Sequence, residues 1–224
     1  MQQKIGYLTI DDVPTRYTKR KIDYLISKNI PAILFCRGEL IRKKINVIVY
    51  AIKKGFVIGN HSYNHPNFSK ISLEEAKEQI EKTDKLIEEA YKKAGVKRQI
   101  KLFRFPFGDK GNGDFEKLIP KNKHAKEIQK ILKKLGYRQP KFTGITYKWY
   151  KKLKKDADVV WTFDSCEYEL PIEKVLKRID KSPRINSKSN DIILIHDFST
   201  PKTFSKIIEK LISKGIKFKL PNLK

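Results

Sequence analysis

The sequence has little cysteine and no long apolar segment. Only two cysteines, Cys36 and Cys166, occur in 224 residues, too few for a disulfide framework, so both are expected to be free thiols. No apolar run approaches the roughly 20 residues that a membrane-spanning helix needs, so no transmembrane segment is expected. No secretory segment precedes the first strand-like run, Lys4–Ile10, so we expect a cytoplasmic protein, or a secreted or cell-envelope protein if a leader has been removed.

Acidic residues are scarce relative to basic ones. There are 25 Asp and Glu against 50 Lys and Arg, which gives a formal net charge of +25. Such a surface attracts polyanions. However, the lysines are scattered in pairs such as Lys43–Lys44, and no RNA-binding aromatic signature, zinc finger or recognition helix accompanies them. We therefore interpret the charge as solvated helix faces and do not expect a nucleic-acid partner.

A glycine-rich phosphate loop is also missing, although short apolar segments alternate with amphipathic ones. The predicted strands are Ile5–Ile10, Ala32–Cys36, Phe56–Gly59, Leu102–Phe105, Val159–Phe163, Asp191–Ile195 and Ile216–Leu220. The predicted helices are Thr18–Ser27, Leu73–Tyr91, Lys123–Leu135 and Lys202–Ser213. The alternation predicts an α/β fold with a parallel sheet. About seven strands without a phosphate loop favour a closed or nearly closed barrel over a dinucleotide-binding fold.

One stretch, residues 109–158, interrupts this alternation. Its first part, Asp109–Lys123, contains the apolar run Phe115–Ile119 and predicts a long ordered loop beside a site. Its later part, Phe142–Leu153, is rich in aromatic residues and predicts an inserted helix that borders a cleft. We expect residues 1–224 to form a single domain that carries this extended insertion.

Histidine is rare, and three of the four histidines stand where predicted strands end. His61 and His65 are four residues apart, a spacing that on a helical turn directs both imidazoles toward one ion. His196 directly follows the predicted strand Asp191–Ile195. His124 lies on a lysine-rich helix, so we expect it to be solvated.

Polar clusters follow five of the predicted strands. They are Asp11–Asp12, His61–His65, Arg104–Phe107, Asp164–Glu167 and His196–Asp197. Because the carboxyl ends of parallel strands open on one face of a barrel, we expect these clusters to converge. Two adjacent charged carboxylates are costly when partly buried, and a divalent cation relieves that cost for one of them. Helix capping alone would explain one aspartate of Asp11–Asp12, and Pro14 already separates the pair from the next helix.

Five motifs resemble, in order and in placement on strands, those of the polysaccharide deacetylases, the NodB-homology enzymes of carbohydrate esterase family 4. The motifs are Thr9–Val13, His61–His65, Arg104–Phe107, Asp164–Tyr168 and Leu194–His196. The resemblance implies a distorted (β/α) barrel. It also implies removal of acetyl groups from N-acetylated amino sugars, in peptidoglycan, chitin or related N-acetylglucosamine glycans.

The resemblance further implies a metal centre and a base. Asp12, His61 and His65 would bind a divalent metal, Asp11 would be the general base, and Arg104 would orient it. Three protein ligands leave open positions on the ion for water and for the substrate carbonyl oxygen. Zinc is the expected metal, and cobalt, nickel, manganese and iron also fit this ligand set.

The remaining motif residues are expected to supply an acid and the substrate contacts. By the same resemblance His196 would be the general acid, because an amine leaves only when protonated, and Glu167 would support it. The expected substrate-binding residues are Phe107, through its backbone N–H, Leu194, Tyr168 and Asp164.

The sequence departs from the family pattern and leaves other functions open. Val13 stands where glycine is usual, Glu167 where aspartate is usual, Tyr168 where tryptophan is usual, and Phe107 where tyrosine is common. One alternative is a metal-dependent hydrolase of a small non-sugar N-acyl compound or cyclic amide. A second is a catalytically inactive basic binder of anionic polymers. The sequence does not indicate an oligomeric state.

Overall fold

The computed structural model describes residues 3–113 and 122–224, in which parallel strands alternate with helices. The strands are β1 (Ile5–Val13), β2 (Ile33–Cys36), β3 (Val57–Asn60), β4 (Phe163–Asp164), β5 (Asp191–His196) and β6 (Lys217–Phe218). The helices are α1 (Thr18–Ser27), α2 (Gly38–Lys53), α3 (Leu73–Ala94), α4 (Lys123–Lys134), α5 (Lys148–Lys152), α6 (Ile172–Lys181) and α7 (Pro201–Ser213). None of the helices within these ranges is long and apolar enough to cross a membrane.

All six strands belong to one sheet, and every pairing between them is parallel. The order is β3-β2-β1-β5-β4, and β6 pairs with the first residues of β1. Isolated bridges join Asn60 to Phe103 and Phe103 to Asp158. Since Phe163, five residues after Asp158, pairs with Ile193 of β5, these bridges continue the sheet around toward its other edge. The predicted α/β barrel class is therefore confirmed, with a distorted wall.

Three of the predicted strands are shortened or lost, and the loss of Leu102–Phe105 as a strand leaves six strands in the described residues rather than about seven. Ile216–Leu220 is reduced to Lys217–Phe218. Leu102–Phe105 makes only isolated bridges, and Val159–Phe163 contributes only its last residue to β4. Side chains take backbone acceptors that a strand ladder would otherwise use. His61 Nδ1 lies 2.8 Å from the Arg104 carbonyl oxygen, and Arg104 Nε donates to the Val159 carbonyl oxygen at 3.0 Å.

The side chains of a strand point alternately into two apolar layers, and this alternation determines the face of the sheet on which each polar residue lies. On β1, Leu8 and Ile10 pack in the cluster under the helices, whereas Tyr7 packs in a second cluster with Phe35 of β2. Because successive side chains of a strand point to opposite faces, Asp11 belongs to the same face as Tyr7. The end of β1 therefore directs Asp11 to the inner face of the sheet.

The predicted helices are present with small differences in their ends, and two were missed. Helix α1 has the predicted bounds, and α3 begins with the capping box of Ser72 and Glu75 that its sequence indicates. Helices α2 and α6 were not predicted, although their buried apolar residues recur at helical spacing. A kink at Lys44, which has φ of −140°, interrupts the regular pattern of α2. Helix α5 lies within the aromatic unit that predicted an inserted helix.

Ion pairs join the two ends of the insertion over 109–158. Its predicted apolar run, Phe115–Ile119, lies outside the described residues. Lys110, only 1% exposed, forms ion pairs with Asp156 at 2.8 Å and with Asp158 at 3.1 Å. The start of the insertion is thus held against its end, next to the bridge that Asp158 makes with the barrel wall.

Candidate metal centre and active site

The strand-end clusters meet at the carboxyl edge of the sheet. Asp11 on β1 is the direct register partner of His196 on β5. Asp11 Oδ2 lies 3.7 Å from His61 Nε2, and Asp11 Oδ1 accepts a hydrogen bond from Arg104 Nη1 at 2.9 Å. The fold therefore brings together four chain segments that lie as much as 185 residues apart in sequence, from 11 to 196.

Asp12, His61 and His65 form a compact group of ligand-type atoms. Their donor atoms all lie within 4.8 Å of one another, and Asp12 Oδ1 is 3.5 Å from His65 Nε2. Four ligands arranged tetrahedrally at zinc-like bond lengths stand about 3.4 Å apart. The spacing of the two atoms thus corresponds to ligands that share one ion.

The surroundings of the three side chains also fit a cation. Asp12 Oδ1 is buried and, among the described residues, has no hydrogen-bond donor, although Arg37 Nη1 lies 3.6 Å away; a buried carboxylate oxygen without a hydrogen bond is costly, and a bound cation would relieve that cost. His61 Nδ1 is held by the Arg104 carbonyl at 2.8 Å, which leaves Nε2 for the site. Burial, together with the charges of His61 and Arg37, lowers the pKa of His65 to about 3. His65 is therefore neutral at physiological pH, the form that binds metals.

The two histidines converge through a loop, so the helical turn expected for them is wrong. Residues 61–67 are not helical, and Ser62 and His65 have positive φ angles of 62° and 63°. Hydrogen bonds fix this shape: the Ser62 hydroxyl accepts from the His65 N–H at 3.1 Å, and Gln79 Oε1 accepts from the N–H groups of Tyr63 and Asn64. The imidazole rings end 4.9 Å apart.

Backbone strain is concentrated at this edge of the sheet. In the described residues, the non-glycine residues with positive φ are Asp12, Asn29, Ser62, His65, Phe107 and Cys166. All except Asn29 belong to the motifs singled out from the sequence. Such conformations cost on the order of 1–3 kcal/mol each and persist where the surrounding structure enforces them, most often at functional sites.

Asp11 is held by a buried arginine. Arg104 is 1% exposed and donates through Nη1 to both Asp11 Oδ1, at 2.9 Å, and the Thr9 hydroxyl, at 2.8 Å. Its guanidinium lies over the Phe35 ring at 4.3 Å. These contacts fix the position of one oxygen of Asp11, and the second oxygen faces His61.

His196 and Glu167 form a second buried pair. Glu167 Oε1 accepts from the backbone N–H of His196 and lies 3.2 Å from His196 Nδ1, while the Ser165 hydroxyl donates to Oε2. Burial lowers the pKa of His196, but the hydrogen bond and charge of Glu167, with the charges of Asp11 and Asp164, outweigh it and raise the pKa to about 9. Burial would raise the pKa of Glu167, yet its contacts with His196 keep it below the usual value. The imidazole is therefore protonated at neutral pH.

The four residues expected to contact substrate occupy different positions around this edge. Leu194 is buried, and Asp164 accepts a hydrogen bond from the Cys166 N–H at 2.8 Å, with its pKa raised by burial. Phe107 and Tyr168 are 55% and 47% exposed. Phe107 contacts the His65 ring, with centroids 4.4 Å apart, and Tyr168 contacts the His196 ring at 4.8 Å. An exposed aromatic ring thus borders each histidine.

Sequence reasoning missed Phe198 and Arg37. Phe198 is 46% exposed and stacks on His196, with centroids 5.1 Å apart and an interplanar angle of 26°. Arg37 follows β2, and its Nη1 lies 3.6 Å from Asp12 Oδ1. The signal available for Arg37 was its place at a strand end, the rule that found the other clusters. For Phe198, the position after a strand-end His-Asp pair was the only hint.

Some residues of the predicted clusters serve the framework instead. Asp197 accepts hydrogen bonds from the Thr15 N–H and the Thr18 hydroxyl and pairs with Lys21 at 3.2 Å, which anchors the start of α1. His124, expected to be solvated, is partly buried, with Nε2 3.0 Å from the Phe68 carbonyl oxygen. The predicted free thiols Cys36 and Cys166 are unpaired, as expected.

Comparison with curated proteins identifies related deacetylases. A peptidoglycan-N-acetylglucosamine deacetylase of Bacillus cereus is 36% identical over 103 residues, 46% of this chain and 36% of that protein. Another protein of the same name from Bacillus cereus is 26% identical over 223 residues, 96% of this chain and 85% of that one. The match covers only about a third to a half of the length of some of these relatives, such as 50% of a Bacillus subtilis protein.

Solved structures share the fold at low sequence identity. A family 4 carbohydrate esterase from Streptomyces lividans aligns with a TM-score of 0.67 at 20% identity, over 98% of this chain and 93% of that one. A family 4 pseudoenzyme from Bacillus anthracis aligns with a TM-score of 0.66 at 21% identity, over 97% and 63% of the two chains. An esterase and a pseudoenzyme thus share this fold, so the fold alone does not decide activity.

The sequence itself assigns the family. The family model described as polysaccharide deacetylase matches residues 1–140, which include the first three motifs and all of the Asp12, His61 and His65 group. The solved relatives, whose alignments extend over nearly the whole chain, share the parallel barrel that carries the last two motifs. This chain belongs to the polysaccharide deacetylase family.

Proposed function

We propose that this chain is a metal-dependent hydrolase that removes acetyl groups from N-acetylated amino sugars, in peptidoglycan, chitin or a related glycan. The observation that carries the proposal is the cluster of Asp12, His61 and His65 ligand atoms, in which the buried Asp12 oxygen accepts no hydrogen bond from the described residues, at an edge that also holds a paired carboxylate, Asp11, and a protonated imidazole, His196. The names of relatives that deacetylate peptidoglycan support the choice of substrate class.

The metal ligands in this proposal are Asp12, His61 and His65. A bound divalent cation, with zinc our first expectation, would polarise the acyl oxygen and make a nearby water more acidic. The surrounding residues favour metal binding by both histidines: the Arg104 carbonyl orients His61, and burial keeps His65 neutral.

Asp11 is the base in this proposal, and its neighbours define how it acts. Arg104 holds Oδ1, so Oδ2, which faces His61, is the oxygen available to take a proton from the attacking water. Thr9 accepts from the same Arg104 nitrogen and helps to fix its position. A base that is already oriented loses little entropy as the reaction begins.

His196 is the acid. Glu167 engages Nδ1, so Nε2 is the atom that carries a proton to the leaving amine. Protonation of the nitrogen is required because an unprotonated amine is a poor leaving group, and positioned acids contribute about 10²–10⁴-fold to rate. The neighbouring rings of Tyr168 and Phe198 exclude water from two sides of the imidazole.

A substrate panel tests the proposed function. Metal-loaded protein should release acetate from the tetramer of N-acetylglucosamine or from peptidoglycan, and should be slower on small non-sugar N-acyl compounds and cyclic amides. Faster turnover of the small amides would favour the alternative hydrolase. Stoichiometric metal without turnover of any N-acyl substrate would instead favour a non-catalytic binder, the case that the fold shared with a pseudoenzyme makes worth testing.

The pH dependence of the reaction should report the acid. Because the pKa of His196 is raised to about 9, the imidazole is protonated below that pH and activity should fall as pH rises through it. In Glu167→Gln the main raising contact is lost while burial, which lowers the pKa, remains. We expect the alkaline limb of kcat against pH to move down by at least about one unit. A limb that stays in place would show that another group supplies the proton.

Phe198 should contribute to substrate binding. Its ring is half exposed and stacked on His196, where it presents an apolar surface to a sugar ring. We expect Phe198→Leu to raise KM by about three- to tenfold, in line with the 0.5–1.5 kcal/mol of an aromatic pair, with a smaller effect on kcat. Ile212→Ala, which removes an exposed apolar side chain on α7, is the matched control and should leave KM unchanged. Equal KM values for Phe198→Leu and wild type would remove this role.

A further inference from the structure

A basic cleft lies on the face of the barrel opposite the candidate site. Its volume is about 420 Å³, and it is formed where α3 ends and where the chain enters the barrel wall at Lys101. The bridge between Lys101 and Tyr137 lies ahead of Phe103 and Arg104 on the same segment. The cleft is therefore at the amino ends of the barrel segments, whereas the deacetylase motifs follow the carboxyl ends.

Cations dominate the lining of this cleft. Five line it, namely Lys92, Lys97, Arg98, Lys101 and Arg138, against one carboxylate, Glu88. Asp84 pairs with Arg98 at 2.7 Å and with Lys101 at 2.6 Å. Over residues 3–113 and 122–224, Lys92, Lys97 and Arg138 have no ion pair with a carboxylate. Arg138 Nη2 donates to the Leu223 carbonyl oxygen at 3.3 Å, a contact that does not neutralise its charge, so three cationic side chains of the cleft have no carboxylate partner within the described ranges.

Arg98 provides a second, independent indication. Its side chain is only 4% exposed, and Nη1 donates to Asp84 Oδ1 at 2.7 Å and lies 3.6 Å from Glu88 Oε2. Its Nε and Nη2 atoms are buried without a hydrogen-bond partner, an arrangement that is rare because it is costly. Guanidinium N–H groups match the oxygens of phosphate in a planar, two-point geometry that lysine lacks.

We propose that this cleft binds the phosphate groups of a compact anion, such as a short phosphate chain. The three cations that lack a carboxylate partner in the described residues line the same cleft as the buried Arg98 guanidinium, and the volume suits a few linked phosphates rather than a single ion. Binding of single-stranded nucleic acid is disfavoured, because its bases stack on aromatic rings and the residues that line the cleft include none. The proposal is independent of the deacetylase function, since it uses none of those residues.

Calorimetric titration with sodium tripolyphosphate tests the proposal. We compare the wild type with the double variant Lys97→Glu, Arg138→Glu, which reverses two exposed cations of the cleft. The matched control, Lys202→Glu, Lys206→Glu, makes the same charge change at exposed positions of α7. Thermal melting and acetate release, which should match wild type in both variants, show that each is folded.

The expected result is saturable binding by the wild type, weakened about 30-fold or more in the cleft variant by the loss of charge-assisted contacts, and less than about threefold in the control. Binding should also weaken with added salt. No saturable binding by the wild type, or equal weakening in both double variants, would overturn the proposal. So would an oligouridylate that binds the cleft more tightly than tripolyphosphate.

Discussion

Asp12→Ala is expected to lose tight metal binding and, with it, deacetylation. Asp12 Oδ1 is buried, accepts no hydrogen bond from the residues that the structure describes and lies 3.5 Å from His65 Nε2, with the guanidinium of Arg37 at 3.6 Å as its cationic neighbour. Changes to groups that only support a metal ligand already cost about 10–100-fold in affinity, and loss of a ligand should exceed that range. Metal content after dialysis and the Kd for zinc measure the effect.

A matched control separates this effect from a general loss of charge. Asp23→Ala removes a partly exposed carboxylate of α1 that pairs with Lys19 at 2.8 Å and accepts a hydrogen bond from the Tyr50 hydroxyl, and that belongs to none of the strand-end clusters. That variant should keep wild-type metal content and activity, because exposed ion pairs contribute at most about 1 kcal/mol to stability. Wild-type metal affinity in Asp12→Ala would contradict the assignment of the ligands.

Asp11→Asn should show the opposite pattern, with metal retained and turnover lost. The amide oxygen of asparagine can still accept from Arg104 Nη1, so the local geometry should survive, but the side chain can no longer take a proton. General-base catalysis is worth about 10²–10⁴-fold, so we expect kcat to fall by about 10³-fold. Steady-state kinetics together with metal content on the same preparation distinguish this outcome from loss of the ion.

Thr9→Val is the control for the base. It removes the other acceptor of the same Arg104 nitrogen and leaves Asp11 in place. We expect a decrease in kcat of less than about tenfold, because Asp11 keeps its own hydrogen bond from Arg104 Nη1. A kcat in Asp11→Asn within tenfold of wild type would show that Asp11 is not the base.

The general place of the site could be predicted because it follows from chain topology. Parallel strands end on one face, so the polar residues after β1, β3 and β5 had to meet, and Asp11 and His196 are in fact register partners. The local shape around His61 and His65 could not be predicted from their spacing. It depends on positive φ angles at Ser62 and His65, in a loop whose backbone N–H groups at Tyr63 and Asn64 donate to Gln79 Oε1.

The limits of the predicted strands have a similar cause. Apolar composition alone favoured a regular strand over Leu102–Phe105, but the Arg104 carbonyl is used by His61 instead of by a neighbouring strand. The His61 side chain thus competes with the sheet for the Arg104 carbonyl oxygen, and amino-acid composition gives no indication of that competition.

The interpretation of the lysines as solvated helix faces was incomplete, because it did not include contacts that only the folded chain makes. Lys92, Lys97 and Lys101 are separated along the chain and were interpreted as solvated helix faces. In three dimensions Lys97, Arg98 and Lys101, which follow α3, lie in one cleft with Lys92 and with Arg138, which follows α4. A local excess of charge can therefore include a residue, such as Arg138, that is far from the others in the sequence.

Removal and return of the metal test the central claim most directly. The protein is stripped with a chelator, its metal content is measured, and acetate release from the N-acetylglucosamine tetramer is followed before and after zinc is added. We predict that activity falls to background when the metal is removed and returns with about one equivalent of zinc per chain, as expected of a single three-ligand site. Full activity in the metal-free protein would contradict the account.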